Sequence, residues 1–239
     1  MGSDTIKIKG LQKTSLIDYP GKVCSIIFLS GCNFRCPYCQ NPDLINQPEK
    51  LNDIEPEKVI EHLLKNRKWL DGLCITGGEP TLHSSLPEFI KRVKKKGFLV
   101  KLDTNGSNPE MLGHLLRNCL LDYVAMDIKS TPSKYDRAAG VSVDKERIKK
   151  SIGLIMREGN KGNIDYEFRA TVLPGLFGKQ DAITIGKWLH GAKRFSIQQF
   201  RPQVTLDSAY QNVNPYSEAG LQELKKIMEP CFESVEIRQ

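Results

Sequence analysis

Cys32, Cys36 and Cys39 fall inside "SGCNFRCPYCQNPDL", residues 30–44, with three and then two residues between them. Thiolates at such short spacing suit a metal centre, and zinc is the first competitor. A structural zinc site takes four protein ligands, usually as two separated pairs. Only three cysteines are close here, and of His62, His83, His114 and His190 none lies in the stretch. A [4Fe–4S] cluster takes one ligand on each iron, so three cysteines fill three irons and leave the fourth open to a non-protein ligand. Reactivity would lie at that open iron. The remaining cysteines, Cys24, Cys74, Cys119 and Cys231, are scattered. They read as small packed residues and leave no second cluster to assemble. An odd total of seven also argues against a disulfide framework.

The elements that must position this loop alternate along the chain. "VCSIIFLS", residues 23–30, is a short β-branched run that reads as a buried strand, so the cysteine loop sits at a strand end. Pro56 opens a helix with Val59, Ile60, Leu63 and Leu64 at helical spacing. The strand "GLCIT" then ends in "GGEP", residues 77–80, and Leu86, Phe89, Ile90 and Val93 mark another helix, stopped by Gly97. "FLVKLDT", a helix over 109–118, "LDYVAMDIK", a helix through Ile148, Ile152 and Ile155, "IDYEFRATVL", a helix over 181–190 and "RFSIQQF" continue the pattern. Six strands separated by five helices are the signature of parallel βαβ units wound in one direction, and predict an α/β fold, a partial (β/α)6 barrel. Residues 201–239 add a loop, a helix with Leu221, Leu224, Ile227 and Met228 on one side, and the strand "FESVEIR". The expectation is a single domain over 1–239, with a core of about 20–200 and a C-terminal helix and strand extension.

In such barrels the active face is built from the strand C-termini and the loops that follow them. The cysteine loop, "GGEP", "DTNG", "DIK" and "FRP" all fall at or just past predicted strand ends. Their convergence on one rim predicts a site. Only His83 among the histidines falls near a strand end, and it reads as incidental.

The 239 residues are 39% hydrophobic and 26% charged, the balance of a packed globular chain. No stretch approaches the roughly 20 apolar residues that cross a bilayer, and "MGSDTIKIKG" lacks the apolar core of a secretory signal, so a cytoplasmic location is expected. The net charge of +7 raises a nucleic-acid reading, with "KRVKKK", residues 91–96, as its densest run. That run ends an amphipathic helix without interleaved aromatics, and reads as a solvated face. Neither nucleic acid nor membrane is expected as a partner, and a basic surface also suits an acidic electron carrier or protein substrate.

The cysteine spacing, Tyr38 just before the last cysteine, the position at the end of a first strand and "GGEP" one βα unit later together resemble the radical S-adenosylmethionine superfamily. The resemblance implies that the amino and carboxylate groups of S-adenosylmethionine chelate the open iron. One electron from the cluster then cleaves the adjacent C–S bond to release a 5′-deoxyadenosyl radical. It further implies that Gly77, Gly78 and Glu79 form the turn that receives the methionine amino group, and that Tyr38 lies over the adenine.

"TSLIDYPGKVCSIIFLSGCNFRCPYCQNPDL", "LDTNG", "MDIKSTPSKYDRAAG" and "FRATVLPG" narrow the resemblance to activating enzymes of glycyl radical enzymes, over about residues 14–200. "IDYPG" and "QNPDL" are most similar to the long-form activating proteins of anaerobic ribonucleoside-triphosphate reductase, with pyruvate formate-lyase activating enzymes as near relatives. In that resemblance Asp103, Thr104, Asp127 and Lys129 lie at the methionine end of the cofactor, beside a monovalent cation, and Arg169 meets a carboxylate or ribose. Gln198, Gln199 and Arg201 are weaker candidates. The implied reaction abstracts one α-hydrogen from a glycine of a partner enzyme, with reduced flavodoxin or ferredoxin as electron donor. "AAG", residues 138–140, stands where relatives often have a threonine before the glycine, and departs from the pattern. The alternative left open is a radical enzyme acting on a small molecule, such as a 7-carboxy-7-deazaguanine synthase.

Overall fold

The computed structural model describes residues 6–239; the first five residues of the stretch read for a signal lie outside the described residues. Strands β1 (Ile8–Ser15), β2 (Cys24–Leu29), β3 (Gly72–Gly77) and β4 (Leu99–Thr104) precede β5 (Tyr123–Asp127), β6 (Asp165–Val172), β7 (Ala192–Gln199) and β8 (Phe232–Arg238). Two short helices lie in rim loops, α1 (Pro42–Asn46) after β2 and α5 (Tyr135–Ala139) after β5. The longer helices are α2 (Pro56–Lys65), α3 (Leu86–Lys95), α4 (Pro109–Arg117), α6 (Lys145–Asn160), α7 (Lys179–Trp188) and α8 (Glu218–Met228).

All strands form one sheet in chain order. The six expected strands are β2–β7, paired parallel throughout, and β8 adds to β7 in the same direction. The C-terminal extension therefore lengthens the sheet. β1 pairs antiparallel with β2 and was not expected from the sequence. Its burial does not alternate, and its register shifts twice against β2, so no period of two marks it as a strand. The two edge strands, β1 and β8, are not paired with each other, and the sheet stays open.

The outward face of the sheet packs against the helices. Ile27, Leu29, Ile75, Val100, Leu102, Val124, Phe168 and Ile197 join helix residues such as Val59, Leu63, Ile90 and Ile152 in the large core. Parallel strands buried on both faces read as near-continuous apolar runs, which is why β2 to β5 were legible. The inward face carries a second, smaller cluster of Tyr19, Cys24, Ile26, Cys74, Tyr123 and Ala125. The Tyr19 and Tyr123 rings meet edge to face at 5.7 Å and close this interior below the rim. Further up, the inward positions of β4–β8 turn polar, and the chemistry collects there. Among the described residues no helix is long and apolar enough to cross a membrane.

Candidate functional site

The loops after β2, β3, β4 and β5 and the ends of β6 and β7 surround a cavity of about 320 Å³. Cys32, Cys36 and Cys39 all line it, with Tyr38 between the last two and almost fully buried. Gly77, Gly78, Asp103 and Thr104 line the side of β3 and β4, and Asp127, Lys129 and Arg169 the side of β5 and β6. Eleven of the twelve cofactor and cluster positions named from the sequence thus meet around one space. Glu79 is the twelfth and stands behind the wall. Among the weaker candidates Gln198 lines the cavity, while Gln199 and Arg201 line a neighbouring groove.

The cysteine loop is held from several sides. Gly31 N–H donates to Leu44 of α1 at 2.8 Å, and Pro37 C=O accepts from Asp207 N–H at 2.9 Å. Arg35 N–H donates to Ala139 C=O at 2.8 Å, and Gly140, left-handed at φ +68°, lies so close that a Cβ there would sit 2.0 Å from the Arg35 carbonyl oxygen. The "AAG" departure from the family pattern therefore sits against the backbone of the cysteine loop. His83 Nε2 lies 2.9 Å from the carbonyl oxygen of Ser30, at the base of the same loop. Burial pushes the Cys36 thiol up to about 11, with Lys129 pulling against it, and raises Cys32 against the pull of the Phe34 N–H. Among the described residues no three His, Cys, Asp or Glu side chains stand close enough to enclose a single metal ion. The three thiols instead face a shared space, an arrangement that suits a multi-iron body better than one tetrahedral zinc.

The "GGEP" turn packs directly on this loop. Gly78 N–H donates to Leu29 C=O at 2.9 Å and Glu79 N–H to Gly31 C=O at 2.8 Å. A Cβ on Gly78 would lie 1.8 Å from the Gly31 oxygen, so only glycine fits the approach. The Glu79 side chain turns away from the cavity and is fully buried. Its Oε1 accepts from Thr81 N–H at 3.1 Å, from Thr104 Oγ1 at 2.7 Å and from the Thr81 hydroxyl, and its Oε2 accepts from Asn105 N–H at 2.6 Å. Burial raises this carboxyl above its ordinary range, opposed by the Asn105 and threonine donors. Glu79 thereby clamps the turn after β3 to the turn after β4. Asn105 extends the clamp to the cysteines, with Nδ2 3.0 Å from Asn33 Oδ1 and 3.8 Å from Cys32 Sγ.

On the opposite wall charges alternate across three strands. Lys101 of β4 pairs with Asp103 Oδ1, and Arg169 Nη1 reaches Asp103 Oδ2 at 3.0 Å. Arg169 Nε also pairs with Asp127 Oδ1, and Lys129 Nζ lies 3.0 Å from Asp127 Oδ2. Burial alone would raise both carboxyls, but Arg169 with Lys101 holds Asp103, and Arg169 with Lys129 holds Asp127, below the usual carboxylate range. The sequence reading missed Lys101, Asn105 and Asp18, which also lines the cavity. Lys101 carried one signal: it stands two residues before Asp103 and so shares its face of the strand.

The four oxygens of Asp103 and Asp127 each face one of these cationic nitrogens. Thr104 Oγ1 is engaged as well, donating to Glu79 and accepting from Gly106 N–H at 3.1 Å. The oxygen set that a monovalent cation would need is thus already occupied, and these residues do not fit such an ion.

Beyond the rim lies an adjoining groove of about 660 Å³, lined on one side by Ile17, Asp18, Pro20 and Gly21 and on the other by residues of β6–β8. Asp18, Gln40, Arg169, Thr171 and Gln198 border both spaces. Ile17 lines the groove and is 79% exposed, and its neighbour Leu16 is 73% exposed. Their loop is pinned by Ser15 Oγ, which donates to Asp18 Oδ2 at 2.5 Å and accepts from the Ile17 N–H at 3.2 Å.

The family model for the radical SAM superfamily matches residues 26–182. A Methanocaldococcus jannaschii protein, provisionally named a glycyl-radical enzyme activating enzyme, is 35% identical over 234 residues, which are 97% of this chain and 95% of that protein. The pyruvate formate-lyase-activating enzyme of Clostridium pasteurianum is 30% identical over 128 residues, 52% of each chain. Among solved structures, a radical SAM methyltransferase from Sphaerobacter thermophilus superposes with a TM-score of 0.71 at 13% identity, covering 92% of this chain and 67% of that one. That likeness is one of fold.

Proposed function

The chain belongs to the radical SAM superfamily, among the activating enzymes of glycyl radical enzymes, and from that premise we propose how its residues work. Cys32, Cys36 and Cys39 would hold three irons of a [4Fe–4S] cluster, leaving the fourth open to S-adenosylmethionine. When bound, this pair supplies the 5′-deoxyadenosyl radical that takes one glycine α-hydrogen, leaving 5′-deoxyadenosine, methionine and a glycyl radical. The protein's own part is binding, orientation and the exclusion of water. Gly77 and Gly78 give a wall without side chains against which the methionine amine rests, and Glu79 fixes that wall. Arg169 and Lys129 present positive charge to the methionine carboxylate, held in place by Asp103 and Asp127. Tyr38, locked by burial, offers an aromatic surface to the adenine, and Thr104 braces the turn beside it.

One observation carries the activase reading over a small-molecule reading: the cysteine cavity adjoins a groove twice its volume, and the two share Asp18, Gln40, Arg169, Thr171 and Gln198 as a common border. A glycine loop of a protein substrate needs such a lateral approach, and the pinned, apolar Leu16–Ile17 pair suits a protein surface. The partner we propose is anaerobic ribonucleoside-triphosphate reductase, with reduced flavodoxin or ferredoxin as donor. The chain's net charge of +7 favours docking of such acidic carriers in the cytoplasm. Residues 1–239 act together as one radical SAM domain, 201–239 serving as its extension.

The test is anaerobic reconstitution with iron and sulfide, then dithionite and S-adenosylmethionine. Formation of 5′-deoxyadenosine supports the reading, and its absence from a cluster-loaded protein refutes it. Added anaerobic ribonucleotide reductase should develop a glycyl doublet in electron paramagnetic resonance. A doublet only with pyruvate formate-lyase reassigns the partner.

A further inference from the structure

Lys101 is a lysine where an apolar strand residue is expected, and only 1% of it is exposed. Its register neighbours are Cys74 on β3 and Tyr123 on β5, so it stands on the inward wall directly beneath the cavity. The ammonium pairs with Asp103 Oδ1, lies 3.8 Å from Cys74 Sγ and sits 5.8 Å from the centre of the Tyr123 ring. A buried lysine is costly unless charge and hydrogen bonds compensate it, so its place here needs a reason. Asp103 supplies the compensation, and Lys101 in turn removes one oxygen of Asp103 from any other cation. Arg169 and Lys129 occupy the other three oxygens of the two aspartates. Lys101, Arg169 and Lys129 thus engage every oxygen of the two aspartates on this wall, and only Asp18, elsewhere in the cavity lining, adds a further carboxylate.

We propose that Lys101 is a built-in substitute for a bound monovalent cation: its ammonium fixes Asp103, and through it Arg169, so that the methionine end of the site is complete without sodium or potassium. Lys101 acts as a positioning residue, since Asp103 and Arg169 stand between it and the cavity. Apolar walls of Cys74 and Tyr123 keep the ammonium from moving elsewhere. The part that concerns S-adenosylmethionine rests on the function proposed above; the part that concerns cation binding rests on the protein alone.

Two measurements separate these parts. Thermal melts of the cluster-free wild-type protein, in potassium, sodium or choline chloride at equal ionic strength, should coincide to within about 1 °C, because no ion is bound. Lys101→Ala opens the position, and its melt should rise in potassium or ammonium chloride relative to choline. In the reconstituted enzyme, S-adenosylmethionine affinity should change by less than about twofold between potassium and choline for wild type. For Lys101→Ala it should fall roughly tenfold in choline and recover by about fivefold or more in potassium or ammonium. A wild-type melt that climbs with potassium, a wild-type affinity that depends on it, or a folded Lys101→Ala without recovery overturns the proposal. If Lys101→Ala does not fold, Lys101→Met, which fills the position without charge, should lose affinity equally in every salt, and the wild-type arms still decide. No binding of S-adenosylmethionine in any salt would defeat the functional reading, leaving the melts to judge the cation.

Discussion

Glu79→Gln isolates the clamp between the turns after β3 and β4, because glutamine has the size of glutamate and leaves no cavity. The buried carboxylate accepts from two fixed backbone donors, Thr81 N–H on Oε1 and Asn105 N–H on Oε2. The threonine hydroxyls at Oε1 rotate, but the backbone donors do not. An amide has one oxygen, so whichever way it is turned one of these N–H groups faces an NH2. The loss is one hydrogen bond to a charged acceptor plus a buried donor without a partner, together about 3 kcal/mol. For a chain of this size that predicts a fall in melting temperature of roughly 6–12 °C for the cluster-free protein. Release of the Gly77–Gly78 wall by even 1 Å should weaken binding and cleavage of S-adenosylmethionine by about tenfold or more, measured anaerobically on variant matched for iron content. A melting temperature within about 2 °C of wild type, with unchanged affinity, would refute the clamp and leave Glu79 a bystander.

Cys36→Ala should lose the visible absorbance of the reconstituted cluster and all cleavage of S-adenosylmethionine, while its cluster-free melt stays within a few degrees of wild type; equal activity would sink the ligand assignment. Gly78→Ala drives a methyl group into the Gly31 carbonyl oxygen, 1.8 Å from an ideal Cβ, and should cost about 1–3 kcal/mol and lower bound iron per chain, with normal iron content as the contrary result. Asp103 and Asp127 are held below their ordinary range, so their contribution to stability is full above about pH 4 and lost as pH falls through their folded values. Carbon-13 carboxyl resonances of both should therefore keep ionised shifts below pH 4 in the cluster-free protein, and titration at or above about pH 4 would contradict the ion-pair ladder.

Most of the rim was legible because two signals coincided there. Short apolar runs such as "VCSIIFLS" and "GLCIT" could only be buried strands, and the polar stretches following them had to fall on the strand C-termini. Cys32, Gly78, Asp103 and Asp127 fell in such stretches, Arg169 came only from the family resemblance, and the structure gathers all five around one cavity. β1 was illegible for the opposite reason: it carries Lys9, Gln12 and Lys13, alternates poorly and is held by pairing with β2 and by distant partners such as Ile54 and Asp53. Lys101 was passed over although Asp103 on the same strand face compensates it, because its place beside Cys74 and Tyr123 emerges only once adjacent strands are in register. Glu79 was legible as a position and not as an orientation. Its four donors come from residues 81, 104 and 105, and only the crossover from β3 to β4 brings the last two within reach.

The five residues "IDYPG" show how one short signature joins separate parts of the site. Ile17 stands exposed at the lip of the groove, and Asp18 borders both groove and cavity. Tyr19 turns inward against Tyr123, while Pro20 and Gly21 continue the groove wall. The loop thus closes the interior from below with an aromatic ring and leaves the lateral opening free, in a sheet whose edge strands do not meet. On the function proposed, a radical generated at the cysteine cavity would be walled off on the side of Tyr19 and Tyr123 and approached from the side of Ile17. That asymmetry follows from the unpaired edges: closing β1 onto β8 would remove the groove and, with it, the lateral path for a glycine loop.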